Sequence, residues 1–208
     1  MELLLIRHAL PVRRELDVGV ADPELSAKGE AQARLLGSYL ATERLDAIYS
    51  SPLRRARETA EPVAAERSLG IVTADGVAEW DQHSSEYVPV EELKAANDPR
   101  WQEMLDGGWN VEGESQEEFI ERTTGTIEEI IASHRGQRVA VVCHGGVIGS
   151  YLSLILGLGS TTNGFFYPNY TSIHRVAAAS TGERSVVTLN ETSHLRGSGL
   201  PMGLFQEG

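Results

Sequence analysis

Apolar residues in this chain follow two spacings, and their alternation sets the expected architecture. Residues 3–6 are a continuous apolar run closed by Arg7 and His8, the pattern of a strand buried on both faces of a parallel sheet. From Ser26 the spacing becomes helical, with Ser26 as N-cap, Glu30 near the first turn and Ala33, Leu36 and Leu40 on one face. A short strand is expected over 46–49, a helix over 53–66 and a third strand over 71–73. Residues 115–134 predict a long helix, with Phe119, Thr123, Ile127, Ile130 and Ile131 at helical spacing and Ser115 and Glu118 forming a capping box. A second strongly apolar strand is expected over 138–143, followed by Gly145-Gly146 and a helix to about residue 156. Two strands joined at Thr181-Gly182 are expected over 173–189. This alternation predicts an α/β fold, a three-layer α/β/α sandwich with a mostly parallel sheet and helices on both faces.

The segment 76–113 interrupts the pattern. It holds Trp80, Trp101 and Trp109, five acidic residues between Glu79 and Glu92, and Gly107-Gly108, with weak periodicity and short helical pieces near 90–96 and 99–105. The expectation is one domain over residues 1–208, with 76–113 as an insertion or lid that covers a site and sets specificity.

Composition narrows the function. The chain has 208 residues, 41% of them hydrophobic, and 18 Lys+Arg against 30 Asp+Glu, a net charge of −12. At this length a core holds without disulfides, and the lone Cys143 is most simply a buried strand residue. The acidic balance argues against a nucleic-acid or anionic-membrane partner, so any anionic ligand needs a local cluster of positive charge. The first residues lack the basic leader and long apolar core of a signal peptide, and no window is apolar enough for a membrane span, so a cytoplasmic location is expected.

Such a cluster stands at the strand ends, where open α/β sheets bind ligands. The first strand ends in Arg7-His8, the late strand in His144-Gly145-Gly146, and the strand over 46–49 runs into Ser50-Ser51-Pro52-Leu53-Arg54-Arg55-Ala56-Arg57. One Arg-His pair after a strand is most often a solvated strand end; three such ends together are not. Guanidinium groups match phosphate oxygens, so Arg7 and one of Arg54, Arg55 or Arg57 suit a phosphoryl group. A histidine among arginines is driven to its neutral form, with a ring nitrogen free to attack phosphorus. Arginines and a second histidine can stabilise the transferring group without a metal, and a rim carboxyl can protonate the leaving alkoxide. A cysteine phosphatase loop would need an Arg where Gly149 stands, the six histidines lack metal-ligand spacing, and Gly157-Leu158-Gly159 is no dinucleotide fingerprint.

These residues resemble the histidine phosphatase superfamily, the phosphoglycerate-mutase-like proteins. Leu4-Leu5-Ile6-Arg7-His8 is similar to its Arg-His-Gly signature, the block 22–33 to its next motif, and 50–60 to its Ser-Pro-Leu-x-Arg-Ala-x-x-Thr-Ala. Gly113-Glu114-Ser115 with Phe119, and Val141 to Gly146, resemble the late blocks, in family order. The resemblance implies that His8 is the nucleophile that forms a phosphohistidine. It implies that Arg7, Arg55 and His144 hold the phosphoryl oxygens, with Gly145 adding a backbone amide. Glu79 aligns with the proton donor, with Asp81 and Glu86 close by. Two positions depart from the family: Ala9 replaces a Gly, and Arg14 replaces an Asn that often binds phosphate. The run Glu79-Trp80-Asp81-Gln82-His83 differs from that of true mutases. A metal-independent phosphomonoester hydrolase acting on a small phosphorylated metabolite is therefore expected, with no cofactor and with a homodimer left open. The alternatives are a mutase-type phosphotransferase and a catalytically silent module that binds a phosphorylated ligand. The acidic insertion further predicts that bisphosphates bind less well than monoesters.

Overall fold

The computed structural model describes residues 1–105, 113–159, 165–204 and 208. Trp109 and Gly107-Gly108 lie outside the described residues.

Six strands form one sheet in the order β4-β3-β6-β1-β7-β8, with β1 Glu2–Arg7, β3 Ala47–Ser50, β4 Ile71–Thr73, β6 Arg138–Cys143, β7 Ile173–Ala178 and β8 Arg184–Glu191. β1, β3, β4 and β6 run parallel, and β7 pairs antiparallel with both β1 and β8. The apolar runs of β1 and β6 are buried on both faces, and their residues alternate between two cores. Leu3, Leu5, Val139, Val141 and Cys143 pack against Phe119, Ile127, Ile130 and Ile131 of α5 (Gln116–Ser133) and Val147, Ile148 and Leu152 of α6 (Gly145–Leu156). Leu4, Ile6, Ala140 and Val142 face Leu36 and Leu40 of α1 (Ala27–Leu40) and Ala56, Ala60 and Val63 of α2 (Arg54–Ala65). The result is a mostly parallel sheet with helices on both faces, the sandwich that the spacing predicts.

Local chemistry explains the helix ends. Ser26 Oγ accepts from Gly29 N, and Ser115 with Glu118 closes the anticipated capping box. α6 stops at Gly157, whose φ of 66° suits a residue without Cβ.

A second, two-stranded sheet had no counterpart in the sequence pattern: β2 (Arg14–Glu15) pairs antiparallel with β5 (Glu86–Tyr87). Two residues carry no periodicity, so only the tertiary pairing defines these strands. Within 76–113, the short helices α3 (Val90–Ala95) and α4 (Pro99–Leu105) stand where the helical composition placed them.

The sheet edge away from the strand ends carries a charged cluster. Arg175, with 11% side-chain exposure, contacts Glu2 at 3.2 Å, Glu43 at 2.6 Å and Glu191 at 2.9 Å. Removing the cation leaves Glu191 without an ionic partner among the described residues and Glu2 and Glu43 with Arg138 alone, in a partly shielded site. Arg175→Met should therefore destabilise the protein by about 3 kcal/mol, read as a lower urea midpoint with an unchanged slope; an unchanged midpoint would refute it.

Candidate active site

The parallel register brings three strand ends side by side. β6 lies between β3 and β1, with Arg7 opposite Cys143 and Ser50 opposite Val142, so the residues that follow each strand emerge at one edge. His8 N donates to Cys143 O at 2.9 Å and Ser51 N to Val142 O at 2.9 Å, which extends the pairing one residue beyond the strands. The rings of His8 and His144 stand 5.1 Å apart, centroid to centroid.

Each ring has a defined tautomer. His8 Nδ1 lies 2.7 Å from the Ala9 carbonyl, which can only accept, so the proton sits on Nδ1 and Nε2 keeps its lone pair. His144 Nε2 lies 2.7 Å from Ser51 Oγ, which also accepts from Leu53 N at 3.2 Å. Assigning the Ser51 hydroxyl as donor to Nε2, its one acceptor among the described residues, places the His144 proton on Nδ1. Burial first, then Arg55 and Arg7, push His8 far below the ordinary imidazole range. Burial, Arg55 and His8 do the same to His144.

Two guanidinium groups complete the centre. Arg7 is buried, donates Nη1 to Pro168 O at 2.7 Å and lies 4.1 Å over the Tyr170 ring. The loop that runs into β7 supplies both contacts. Arg55, 1% exposed in the first turn of α2, pairs with Asp81 at 2.7 Å and lies 4.7 Å from the Tyr87 ring. Arg54 and Arg57 are exposed, and Arg54 is tied to Glu58 and Glu24, so Arg55 alone of the three enters the centre. Among the described residues, Arg7 Nε, Arg55 Nε and His144 Nδ1 are buried polar atoms at this centre without a hydrogen-bond partner. Buried donors are seldom left unsatisfied, and three at one sheet edge suit an anion with several oxygens. Gly145, the first residue of α6, adds the positive end of a helix.

Glu79 reaches the same edge from the far side of β4. It caps a 3-10 turn, Trp80–His83, with Oε1 accepting from Trp80 N at 3.0 Å and Oε2 from Gly146 N at 2.8 Å. Burial and neighbouring Asp81 raise its pKa above the ordinary carboxyl value, against the pull of the two amides. Asp81 instead orients Arg55, and Glu86 lies in β5, where its carboxylate pairs with Arg100 at 2.8 Å.

The two departures are accommodated. The Ala9 methyl packs with Leu25 and Ala33, while its N–H donates to Thr59 Oγ1 at 2.9 Å. Arg14 turns to Glu24 at 2.6 Å. Cys143 is fully buried, and burial pushes its thiol up, away from the nucleophilic thiolate.

Some contributors had no local signal. Tyr87 and Tyr170 flank His8 at 6.4 and 5.9 Å between ring centroids, yet neither belongs to a recognisable spacing. Ser51 and Gly146 stand inside quoted motifs, but their jobs depend on partners 93 and 67 residues away.

Comparison with known proteins matches residues 3–192 to the family model of the histidine phosphatase superfamily (branch 1). The chain is 32% identical over 205 residues to phosphoserine phosphatase 1 of Hydrogenobacter thermophilus, covering 94% of each. It is 29% identical to the probable phosphoglycerate mutase GpmB of Yersinia enterocolitica over 76% of each. Among solved structures, phosphoserine phosphatase of Entamoeba histolytica in complex with 3-phosphoglyceric acid superposes with a TM-score of 0.74 at 25% identity, covering 93% of this chain and 98% of that one.

The Gly146 contact yields a test. A Cβ built on Gly146 would lie 2.4 Å from Glu79 Oε1, so any side chain there displaces the carboxyl. Gly146→Ala should lower turnover of unactivated phosphate esters about 10²-fold while the fold persists, because displacements near 1 Å have that effect on a reacting group. Full activity in steady-state assays would show that Glu79 need not sit at Gly146.

Proposed function

The chain belongs to the histidine phosphatase superfamily, and from that membership we propose a phosphomonoester hydrolase that works through a phosphohistidine on Nε2 of His8. The observation that carries this reading is the set of three unpartnered buried donors, Arg7 Nε, Arg55 Nε and His144 Nδ1, beside a neutral imidazole whose Nε2 is free.

In the first step His8 Nε2 attacks phosphorus, the ester bond breaks, and Glu79 gives its proton to the departing oxygen. The guanidinium groups, His144 and the Gly145 amide hold the equatorial oxygens as charge develops on them. In the second step Glu79, now a carboxylate, takes a proton from water. The resulting hydroxide attacks phosphorus, and the bond to His8 breaks to release phosphate. Guanidinium charge and a helix N-terminus supply the stabilisation that a metal gives elsewhere, so the reading is metal-independent.

The substrate is assigned as a small phosphorylated metabolite carrying one phosphate. Phosphoserine is the first ester to try, because relatives named for it align over nearly the whole chain. Four rim arginines are already paired: Arg13 with Glu15 at 2.6 Å, Arg14 with Glu24 at 2.6 Å, Arg54 with Glu58 at 2.6 Å and Arg100 with Asp98 at 2.8 Å. A second phosphate would have to displace these carboxylates, which supports a phosphatase over a mutase-type transferase that handles bisphosphates. No described helix is long and apolar enough to cross a membrane. A cytoplasmic location is part of the proposal.

Phosphate release from a panel of monoesters in EDTA tests the reading, with His8→Ala expected to lose more than about 10³-fold in kcat. Binding without release from any ester would favour a silent phospho-ligand module. Bisphosphates should show lower kcat/KM than monoesters, and equal or better turnover would refute the charge argument. His8 must be neutral to attack, and its pKa lies well below 6.5, so activity should persist as pH falls through 6.5. Glu79 must be protonated to donate, and its pKa lies above 4.5, so turnover of alkyl esters should fall as pH rises through that raised value. Glu79→Gln should slow alkyl esters about 10²–10⁴-fold and p-nitrophenyl phosphate far less. Asp81→Asn, acting on Arg55, should slow both alike; the reverse pattern would make Asp81 the acid.

A further inference from the structure

The block Gly113-Glu114-Ser115 with Phe119 carries no role in the chemistry above, yet its neighbourhood converges on Glu79. Arg122, on α5, donates from Nη1 to the carbonyls of Gly76 at 3.0 Å and Ala78 at 3.1 Å. Its Nε and Nη2 each meet a Glu114 carboxylate oxygen at 2.7 Å, a bidentate pair, and its guanidinium lies 5.2 Å from the Phe119 ring centre. The side chains of Arg122 and Glu114 are 24% and 17% exposed, so the pair is largely shielded from solvent. The Glu114 carbonyl accepts from Trp80 Nε1 at 2.9 Å, and the indole stacks on Phe119 with centroids 5.6 Å apart and planes 17° apart. Gly76 is pressed so close to α5 that a Cβ there would lie 1.9 Å from Thr126 Oγ1.

Glu79 is thereby bracketed. The peptide before it is held through Ala78 by Arg122, and the residue after it is held through Trp80 by Glu114. The 3-10 turn it caps has four residues, none of them buried, and has little rigidity of its own. We propose that the Arg122–Glu114 pair is a positioning device for the proton donor, fixing the Glu79 carboxyl at the mouth of the phosphoryl site. The inference rests on the reading of Glu79 as the acid. The pair touches no reacting atom; it acts on the reaction only through where Glu79 stands, and proton transfer to an alkoxide is sensitive to that placement.

A purely structural role would slow all substrates alike, whereas a positioning role follows the leaving group. Arg122→Gln, Arg122→Lys and Glu114→Gln are assayed on an alkyl phosphate that the protein turns over and on p-nitrophenyl phosphate, each also in a Glu79→Gln background. Arg122→Gln is expected to lower kcat on the alkyl ester about 30–100-fold and on p-nitrophenyl phosphate less than about threefold, with inhibition by inorganic phosphate unchanged. Arg122→Lys keeps the charge without the fork and should recover part of the loss. With Glu79→Gln already present, Arg122→Gln should add nothing on the alkyl ester, since the two act in series. Equal losses on both substrates, or losses that multiply with that of Glu79→Gln, overturn the proposal. Should Arg122→Gln fail to fold, Glu114→Gln leaves the arginine in place and must show the same leaving-group dependence, or the proposal is wrong. Full alkyl-ester turnover by Glu79→Gln itself overturns the acid assignment, and this inference with it; normal loss there with none at Arg122 or Glu114 overturns this inference alone.

Discussion

Two guanidinium groups are buried side by side at the end of a parallel sheet, and much of the surrounding structure follows from that. A buried cation without compensation is among the least favourable things a fold can hold. Arg7 is offset by the Pro168 carbonyl and the faces of Tyr170 and Tyr167; Arg55 is offset by Asp81 and the face of Tyr87. The same two charges, with burial, keep both histidines neutral. One constraint thus explains a neutral imidazole with a free Nε2 at His8, an aromatic wall and a carboxylate at Asp81 engaged by Arg55. It also reconciles a net charge of −12 with a site for phosphate: the cations face inward, and those at the rim are matched by carboxylates.

The site has two halves with different mechanical origins. Arg7, His8 and His144 stand on two neighbouring strand ends, and Arg55 on the first turn of the helix that follows the third. Glu79, the proposed proton donor, stands before a short turn whose approach is hydrogen-bonded by Arg122 of α5, and its carboxyl accepts from Gly146 of α6. The proposed acid therefore rests on helices of one face of the sheet, and the proposed nucleophile on a strand end. The start of the segment 76–113 is held to the body at Gly76, Ala78 and Trp80.

Much was legible in the residue order because the relevant physics is local. Continuous apolar runs mark β1 and β6 because both faces are covered, helical spacing marks α1 and α5, and the capping box at Ser115 is a contact between residues three apart. The histidines and arginines follow strands, so their convergence needs only the rule that parallel strands end at one edge. The residue types alone leave Arg54, Arg55 and Arg57 open, and the motif resemblance singles out Arg55; the physical reason is tertiary, since a helix points adjacent residues in different directions and burial separates them.

What the chain order determined by itself is the sheet, its helices and the presence of a phosphate-suited set of side chains at the strand ends, because periodicity and strand-end position are properties of neighbouring residues. What only the tertiary structure decided is protonation and aim. The proton on His144 depends on Ser51, the placement of Glu79 on Gly146 and Trp80, and the stacking of Arg7 on Tyr170, which arrives on the loop before an antiparallel strand. Most of these are contacts between residues far apart in the chain, set by packing and burial, and no spacing in the sequence encodes them.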